Sequence, residues 1–324
     1  MYKIIIGNTN MSSNSDKVLQ DNISRSSDCA AAALEDLSGQ YFITDVSANL
    51  TNKKFARDVD GVIQRAQNAG VKKIIVSGTN IQTSKEALRL TRIFPDYIYC
   101  AAGIHPNEAK SWDDEVEASL KEILSNPECV AVGQCGLDYT KKFSEPAEQK
   151  EVLNKQLNIA AELKLPILIC EREAHEDLVE ILENNLHNLP EIIIHSFCGK
   201  INELKTYLSL GCYIGLTGSV WKDKCEDGLK KILEDQMIPL DHLLLESDSP
   251  YMYPNTRASH IPATIKETLT DKSLSFLHRY CTFQRNEPCS LPVTIELIAA
   301  HYKTKPDEIA LQTTFCAMKL FGLN

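Results

Sequence analysis

The sequence predicts an α/β protein built as a closed parallel (β/α)8 barrel, the TIM-barrel architecture, over residues 41–324. Three observations predict it. Eight short, strongly apolar runs recur: YFITDVSA (41–48), KKIIVSG (72–78), YIYCAAGI (97–104), CVAVGQ (129–134), PILIC (166–170), EIIIH (191–195), CYIGLTG (212–218) and HLLLESD (242–248). Each of the first seven precedes a stretch of helical periodicity, the alternation that a parallel sheet covered by helices requires. Several runs also stop at or near a residue able to do chemistry, as in barrels whose active site is assembled from strand ends.

The elements follow in order. After the first run, FARDVDGVIQRAQNAG sets Phe55, Val59, Val62, Ile63 and Ala66 on one helical face and stops at Gly70. AEQKEVLNKQLNIAAELK and INELKTYLSLG carry the same period after the fourth and sixth runs, and LPVTIELIAAHYKT supplies the last main helix. An open doubly wound sheet is the alternative. It would not normally need eight units, and no Gly-rich phosphate loop is present. Residues 1–40 are rich in Ser, Asn and Asp and are expected to form a flexible N-terminal tail ahead of a single domain. The connection from Tyr251 to Ser290 is long for a compact barrel. Leaving the C-terminal end of the eighth strand, residues 251–290 are expected to form a loop over the barrel mouth. The other reading is a surface excursion with helices of its own (PATIKETL, LSFLHRY).

Composition narrows the function classes. The chain has 324 residues, 43% of them hydrophobic, and a formal charge of −10. That charge argues against a non-specific nucleic-acid coat, which needs a broad basic face. It leaves room for an enzyme that draws a nucleic-acid end into a small pocket. The eleven cysteines are scattered without a CxxC pair, which reads as free buried thiols in a reducing compartment. No run approaches the ~20 apolar residues a membrane span needs. A soluble, cytoplasmic protein is the expectation, with the nucleus as a second address.

The candidate site residues lie at the strand ends. In DVSANL, the period of two puts Asp45, Ser47 and Asn49 on one face; Asn49 is read either as a loop hydrogen-bonder or as a substrate contact. His105, in GIHP, could meet metal or phosphate. Arg172 and His175 are three apart near the expected mouth, with His175 one turn into the next helix, a spacing suited to phosphate contacts or to solvated helix surface. His195 ends the sixth strand after three isoleucines. Asp248 closes the eighth, where a carboxylate suits a metal ligand or a general base. Glu246, two residues deeper, is read as a buried partner of a neighbouring donor.

Taken together, DVSANL, AGIHPNE, VAVGQCGLDYTKKFS, LKLPILICEREAHED, IIIHSFCG, YIGLTGSV, LLLESDSPY and RNEPCSLP resemble the TatD-type deoxyribonucleases. That resemblance implies a barrel of the metal-dependent hydrolase type, 3′–5′ exonuclease-type phosphodiester hydrolysis at DNA ends, and one or two divalent cations. It makes His195 and Asp248 metal or catalytic residues and Asn49, His105, Arg172 and His175 substrate contacts. Two positions depart from the family pattern. Gln134 stands where a metal-bridging Glu is expected, and Cys170 where a ligating His is expected. An amide attracts Mg²⁺ or Mn²⁺ far less than a carboxylate, and sulfur suits Zn²⁺ rather than a hard cation. Even losing the groups that orient metal ligands costs on the order of 10–100-fold each, so losing two ligands should cost at least roughly 10²–10⁴-fold in affinity or rate. The leading expectation is therefore a TatD-like nuclease with weakly held or absent metal and weakened or lost activity. An active nuclease working through His195, Asp248 and substrate phosphates is the first alternative, and a non-catalytic interaction protein the second. A Cys170–His195–Asp248 zinc site is a minor variant.

Overall fold

The computed structural model describes residues 41–185, 191–259 and 261–323; the expected N-terminal tail lies outside them. The chain runs β1 (Ile43–Ala48), α1 (Val59–Asn68), β2 (Val71–Ser77), α2 (Ile81–Ile93), β3 (Ile98–Ala102), α3 (Asp114–Leu124), β4 (Cys129–Asp138) and α4 (Pro146–Leu163). It continues β5 (Ile167–Arg172), α5 (His175–Asn185), β6 (Ile192–His195), α6 (Ile201–Ser209), β7 (Tyr213–Leu216), α7 (Leu229–Glu234) and β8 (Leu243–Leu245). Four helices follow: α8 (Ala263–Lys266), α9 (Asp271–Tyr280), α10 (Leu291–Tyr302) and α11 (Pro306–Phe321). All eight strands pair in parallel in sequence order, the barrel that the eight apolar runs predict. The described cysteines are unpaired. Among the described residues, no helix is long and apolar enough to cross a membrane.

Closure of the barrel is made by main chain beyond the strands. Asp248 N donates to Ser47 O at 2.9 Å, and Asn49 N to Ser249 O at 2.8 Å. The Asp45 carboxylate reinforces this seam, accepting from Ser47 N at 3.3 Å and Ser247 N at 2.9 Å. The expected strict alternation of Asp45, Ser47 and Asn49 is modified here. A register irregularity between Asp45 and Ala48 accompanies an Asp45 that serves the seam, a Ser47 that faces β2 and β4, and an Asn49 that lies past the strand end.

The barrel interior is filled by one apolar layer that includes Val46, Ile75, Ala101, Leu168, Ile193 and Leu244. Ala317, Phe321 and Leu323 belong to the same cluster. The end of α11 therefore packs onto the barrel interior, tied to β1 by Thr44 N donating to Thr314 Oγ1 at 3.0 Å. Sequence periodicity placed the last main helix at α10. It missed α11, whose apolar residues serve the barrel interior rather than one lateral stripe.

The Tyr251–Ser290 excursion carries α8 and α9, and most of it braces the outer layer. Buried Glu296 of α10 accepts hydrogen bonds from Tyr41, Thr270 and Ser273. Fully buried Glu287 takes Arg65 at 2.7 Å and Arg285 at 2.7 Å, and Arg285 also reaches Asp58 at 2.6 Å. Tyr251 and Met252, at its start, border the barrel mouth.

Burial pushes the Asp45 carboxyl up to about 7, against the opposing hydrogen bonds from Ser247 and Ser47. In the fold it holds a proton at a pH where the unfolded chain, with a carboxyl near ~3.9, has lost it. This group's contribution therefore makes stability fall as pH rises from about 4 to about 7. Asp45→Asn should remove that slope. Wild type and variant should diverge by on the order of 2–4 kcal/mol between acid and neutral pH, read from chemical denaturation at both ends. Parallel pH profiles would show that Asp45 keeps its charge in the fold.

Candidate active site

The C-terminal ends of the strands open onto a cavity of about 490 Å³. Asn49, His105, Gln134, Cys170, Arg172, His195 and Asp248 all line it, so seven of the side chains singled out from sequence converge. His175 does not join them. It is the first residue of α5 rather than one turn inside it, and its Nδ1 meets Tyr207 OH at 2.9 Å. It lines an adjacent cavity of about 660 Å³, and Arg172 borders both. The difference in helix start is physical: His175 opens α5, and its ring turns toward Tyr207 of α6.

Asp248 reaches the cavity through its backbone. Strand β8 ends at Leu245, and Asp248 adopts a left-handed conformation with φ 43°. That turn lets its N–H close the seam while its carboxylate lines the cavity. Burial lifts the carboxyl to about 6; neighbouring His195 and Arg172 pull it down, while Glu246 adds to the rise.

His195 is almost fully buried at the end of β6. Its Nδ1 lies 2.6 Å from Glu246 Oε2 and its Nε2 3.8 Å from Asp248 Oδ1. The Nδ1 approach is of ion-pair range without hydrogen-bond alignment. Burial works against the charged ring, but Glu246 and then Asp248 outweigh it and raise its pKa. Glu246 also accepts from Ser196 N at 2.9 Å. It is the buried partner of a neighbouring donor that its place two residues before Asp248 suggested. Room for it comes from Gly215 on β7, where a Cβ would overlap Glu246 Oε1.

His105 has the opposite character. Burial and then the nearby His195 lower its pKa to about 4, leaving it neutral. Its Nδ1 accepts from Asn107 N at 3.2 Å, so the proton sits on Nε2, a neutral donor.

The two departures from the expected ligand pattern are visible as chemistry. Gln134 donates from Nε2 to Ser47 Oγ at 2.9 Å, and Ser47 in turn meets Ser77 Oγ at 2.9 Å. Burial pushes the Cys170 thiol up to about 12, so it is held as SH rather than thiolate. Among the described residues, no three His, Cys, Asp or Glu side chains converge to hold a metal ion, and Cys170, His195 and Asp248 form no such group. Gln134 and Cys170 add neither a carboxylate nor an imidazole to the His195 and Asp248 donors on the cavity wall.

Asp138, Thr79 and Lys141 also line the cavity and were not singled out from sequence. Asp138 was legible in GQCGLDY as the last residue of an apolar run, where it ends β4 and accepts from Thr140 N at 3.0 Å.

Comparison with known proteins agrees with this layout. The family model described as TatD related DNase matches residues 44–322. A protein of Erwinia tasmaniensis named 3′-5′ ssDNA/RNA exonuclease TatD is 37% identical over 279 residues, covering 86% of this chain and 99% of the relative. A Musicola paradisiaca protein of the same name is 39% identical over 267 residues, covering 82% and 92%. Among solved structures, a TatD family hydrolase from Entamoeba histolytica superposes with a TM-score of 0.77 at 20% identity, covering 88% of this chain and 99% of the other. A TatD homologue from Escherichia coli K12 superposes with a TM-score of 0.72 at 24% identity, covering 87% and 98%. These two structures support the barrel fold.

The packing of Glu246 against Gly215 gives a stability test. Gly215→Ala should cost ~1–3 kcal/mol in chemical denaturation, the usual penalty for overfilling a packed interior. Pairing it with Glu246→Asp, which shortens the carboxylate, should recover part of the loss. An unchanged Gly215→Ala protein would mean that the glycine is not what makes room for Glu246.

Proposed function

The chain belongs to the TatD-related DNase family, and on that premise we propose that its cavity takes the end of a single-stranded nucleic acid, with phosphodiester hydrolysis strongly weakened or lost. The supporting observation is Gln134. At the point where a bridging carboxylate is called for, an amide donates to Ser47 beside Asp248 and His195. Cys170, a protonated thiol on the same wall, offers a poor ligand to a hard cation.

The remaining residues divide the work of binding. Arg172 supplies charge-assisted donors for a phosphate. His105 offers a neutral Nε2–H for a phosphate or sugar oxygen, and Asn49 an amide for the terminal sugar. Glu246 holds the His195 ring in place, with Nε2 toward Asp248. Asp248 is the acceptor for a proton leaving the attacking water. A divalent cation, the family's cofactor, would neutralise charge developing on the phosphate; Asp248 and His195 are the residues left to hold it. Arg172 and Lys141 are the cations on the cavity wall, beside Asp138 and Asp248. Because these donors do not depend on Gln134 or Cys170, binding should outlast turnover.

The test is digestion of 3′-labelled single-stranded DNA by the purified protein in Mg²⁺ or Mn²⁺, beside Asp248→Ala/His195→Ala and Gln134→Glu/Cys170→His. The last variant should cut roughly 10²–10⁴-fold faster than wild type, each restored ligand contributing on the order of 10–100-fold. Ser47 can turn its hydroxyl to donate to the new carboxylate. Wild-type digestion as fast as the restored variant, and abolished in the control, would refute the loss of activity and leave a working nuclease. Failure of the protein to bind single-stranded DNA at all would refute the nucleic-acid reading.

A further inference from the structure

Aromatic and basic side chains lead outward from the cavity in an unbroken chain of contacts. Tyr251 lines the cavity and is 50% exposed; its hydroxyl accepts from Asn52 Nδ2 at 3.3 Å. Lys54 Nζ stands 5.9 Å from the Tyr251 ring centre and donates to the Gln284 carbonyl. Beside Gln284, Phe283 is 66% exposed, with its ring 4.6 Å from that of Tyr253.

The display of Phe283 is built rather than incidental. Thr282 N donates to Arg285 O at 2.8 Å and Arg285 N to Thr282 O at 3.1 Å, so Phe283 and Gln284 form the tip of a two-residue hairpin. The base of that hairpin is fixed by Arg285, clamped on Asp58 and Glu287. Scattered exposed apolar residues need no explanation. An aromatic held out on an anchored hairpin, packed at a tilt against a second aromatic and joined to a cavity wall, is a different arrangement. Charge agrees with it. In a chain of net charge −10, the loop after β1 exposes Lys53, Lys54 and Arg57, and its Asp58 is already paired with Arg65 and Arg285.

We propose that Tyr251, Tyr253 and Phe283, flanked by Lys54, form a stacking platform for the bases of a single-stranded nucleic acid whose end occupies the cavity. Aromatic faces accept any base, and adjacent lysines follow the backbone, the combination by which proteins hold single strands without reading sequence. The proposal rests on the nucleic-acid reading above and adds where the strand runs and what grips it.

The experiment is fluorescence anisotropy of a short labelled oligothymidylate with phosphorothioate linkages, titrated with wild type, Phe283→Ala and Phe283→Trp. Phe283→Ala should weaken binding ~5- to 100-fold, the range for one lost base stack, with unchanged melting temperature because the ring is exposed. One abasic position in the oligonucleotide should reproduce that loss in wild type and add little in Phe283→Ala, as expected of two changes that remove the same contact. Phe283→Trp should keep its affinity, and its added emission should be quenched on binding. Equal affinity of wild type and Phe283→Ala overturns the platform and leaves the nucleic-acid reading intact. So do fully additive losses. A wild-type protein that binds no oligonucleotide overturns both.

Discussion

The seam where β8 meets β1 governs the site. A barrel has no free edge only if its last strand finds its first, and β8, three residues long, is too short to do this by strand pairing alone. The closing bonds come instead from Asp248 N and Asn49 N. Those two residues also border the cavity. The left-handed turn at Asp248 satisfies a structural need and presents a carboxylate at the mouth in one step, and Asp45 holds the turn from below. Asp45 carries a cost, since one of its oxygens is buried without a hydrogen-bond partner. A neutral acid would meet the same two N–H groups without a buried charge.

The deep wall of the cavity is organised around a second buried carboxylate. Glu246 is fully buried, accepts from Ser196 N and abuts His195. A carboxyl group at that depth needs polar partners, and His195 is one of them; each fixes the other. Fixing the ring points Nε2 toward Asp248, 3.8 Å away. The neighbouring groups at the mouth are neutral. Gln134, Ser47 and Ser77 make a neutral hydrogen-bonded chain, and Cys170 remains protonated. Ordered acid–imidazole contacts around His195 thus sit beside an uncharged Gln134–Ser47–Ser77 chain.

The long excursion after β8 shows how one segment serves both scaffold and mouth. Its interior half is a brace: Glu287 gathers Arg65 and Arg285, and Glu296 of α10 gathers Thr270 and Ser273. Buried Glu287 receives Arg285 at 2.7 Å, so this pairing holds the base of the hairpin from Thr282 to Arg285 in one place. A rigid hairpin then carries Phe283 outward at little entropic cost, the condition under which an exposed aromatic becomes a useful contact.

The sequence by itself determined the barrel, because eight apolar runs separated by helical periods admit few other packings. It also picked out many of the residues that line the cavity, because a polar residue at or near the end of a buried apolar run has the barrel mouth as its outlet. Asn49, His105, Gln134, Cys170, Arg172, His195 and Asp248 were legible on that ground, and Glu246 through its spacing from Asp248. Only the tertiary structure decided the rest. The start of α5, and with it the ring direction of His175, depends on packing against Tyr207 of α6, a contact 32 residues away. Lys141 reaches the cavity from the turn after β4, and α11 takes its role from a barrel interior assembled by all eight strands. Periodicity records which face of an element is apolar. It cannot record which distant element that face will meet, and the protonation of His105, the seam role of Asp45 and the anchored Phe283 all follow from such meetings.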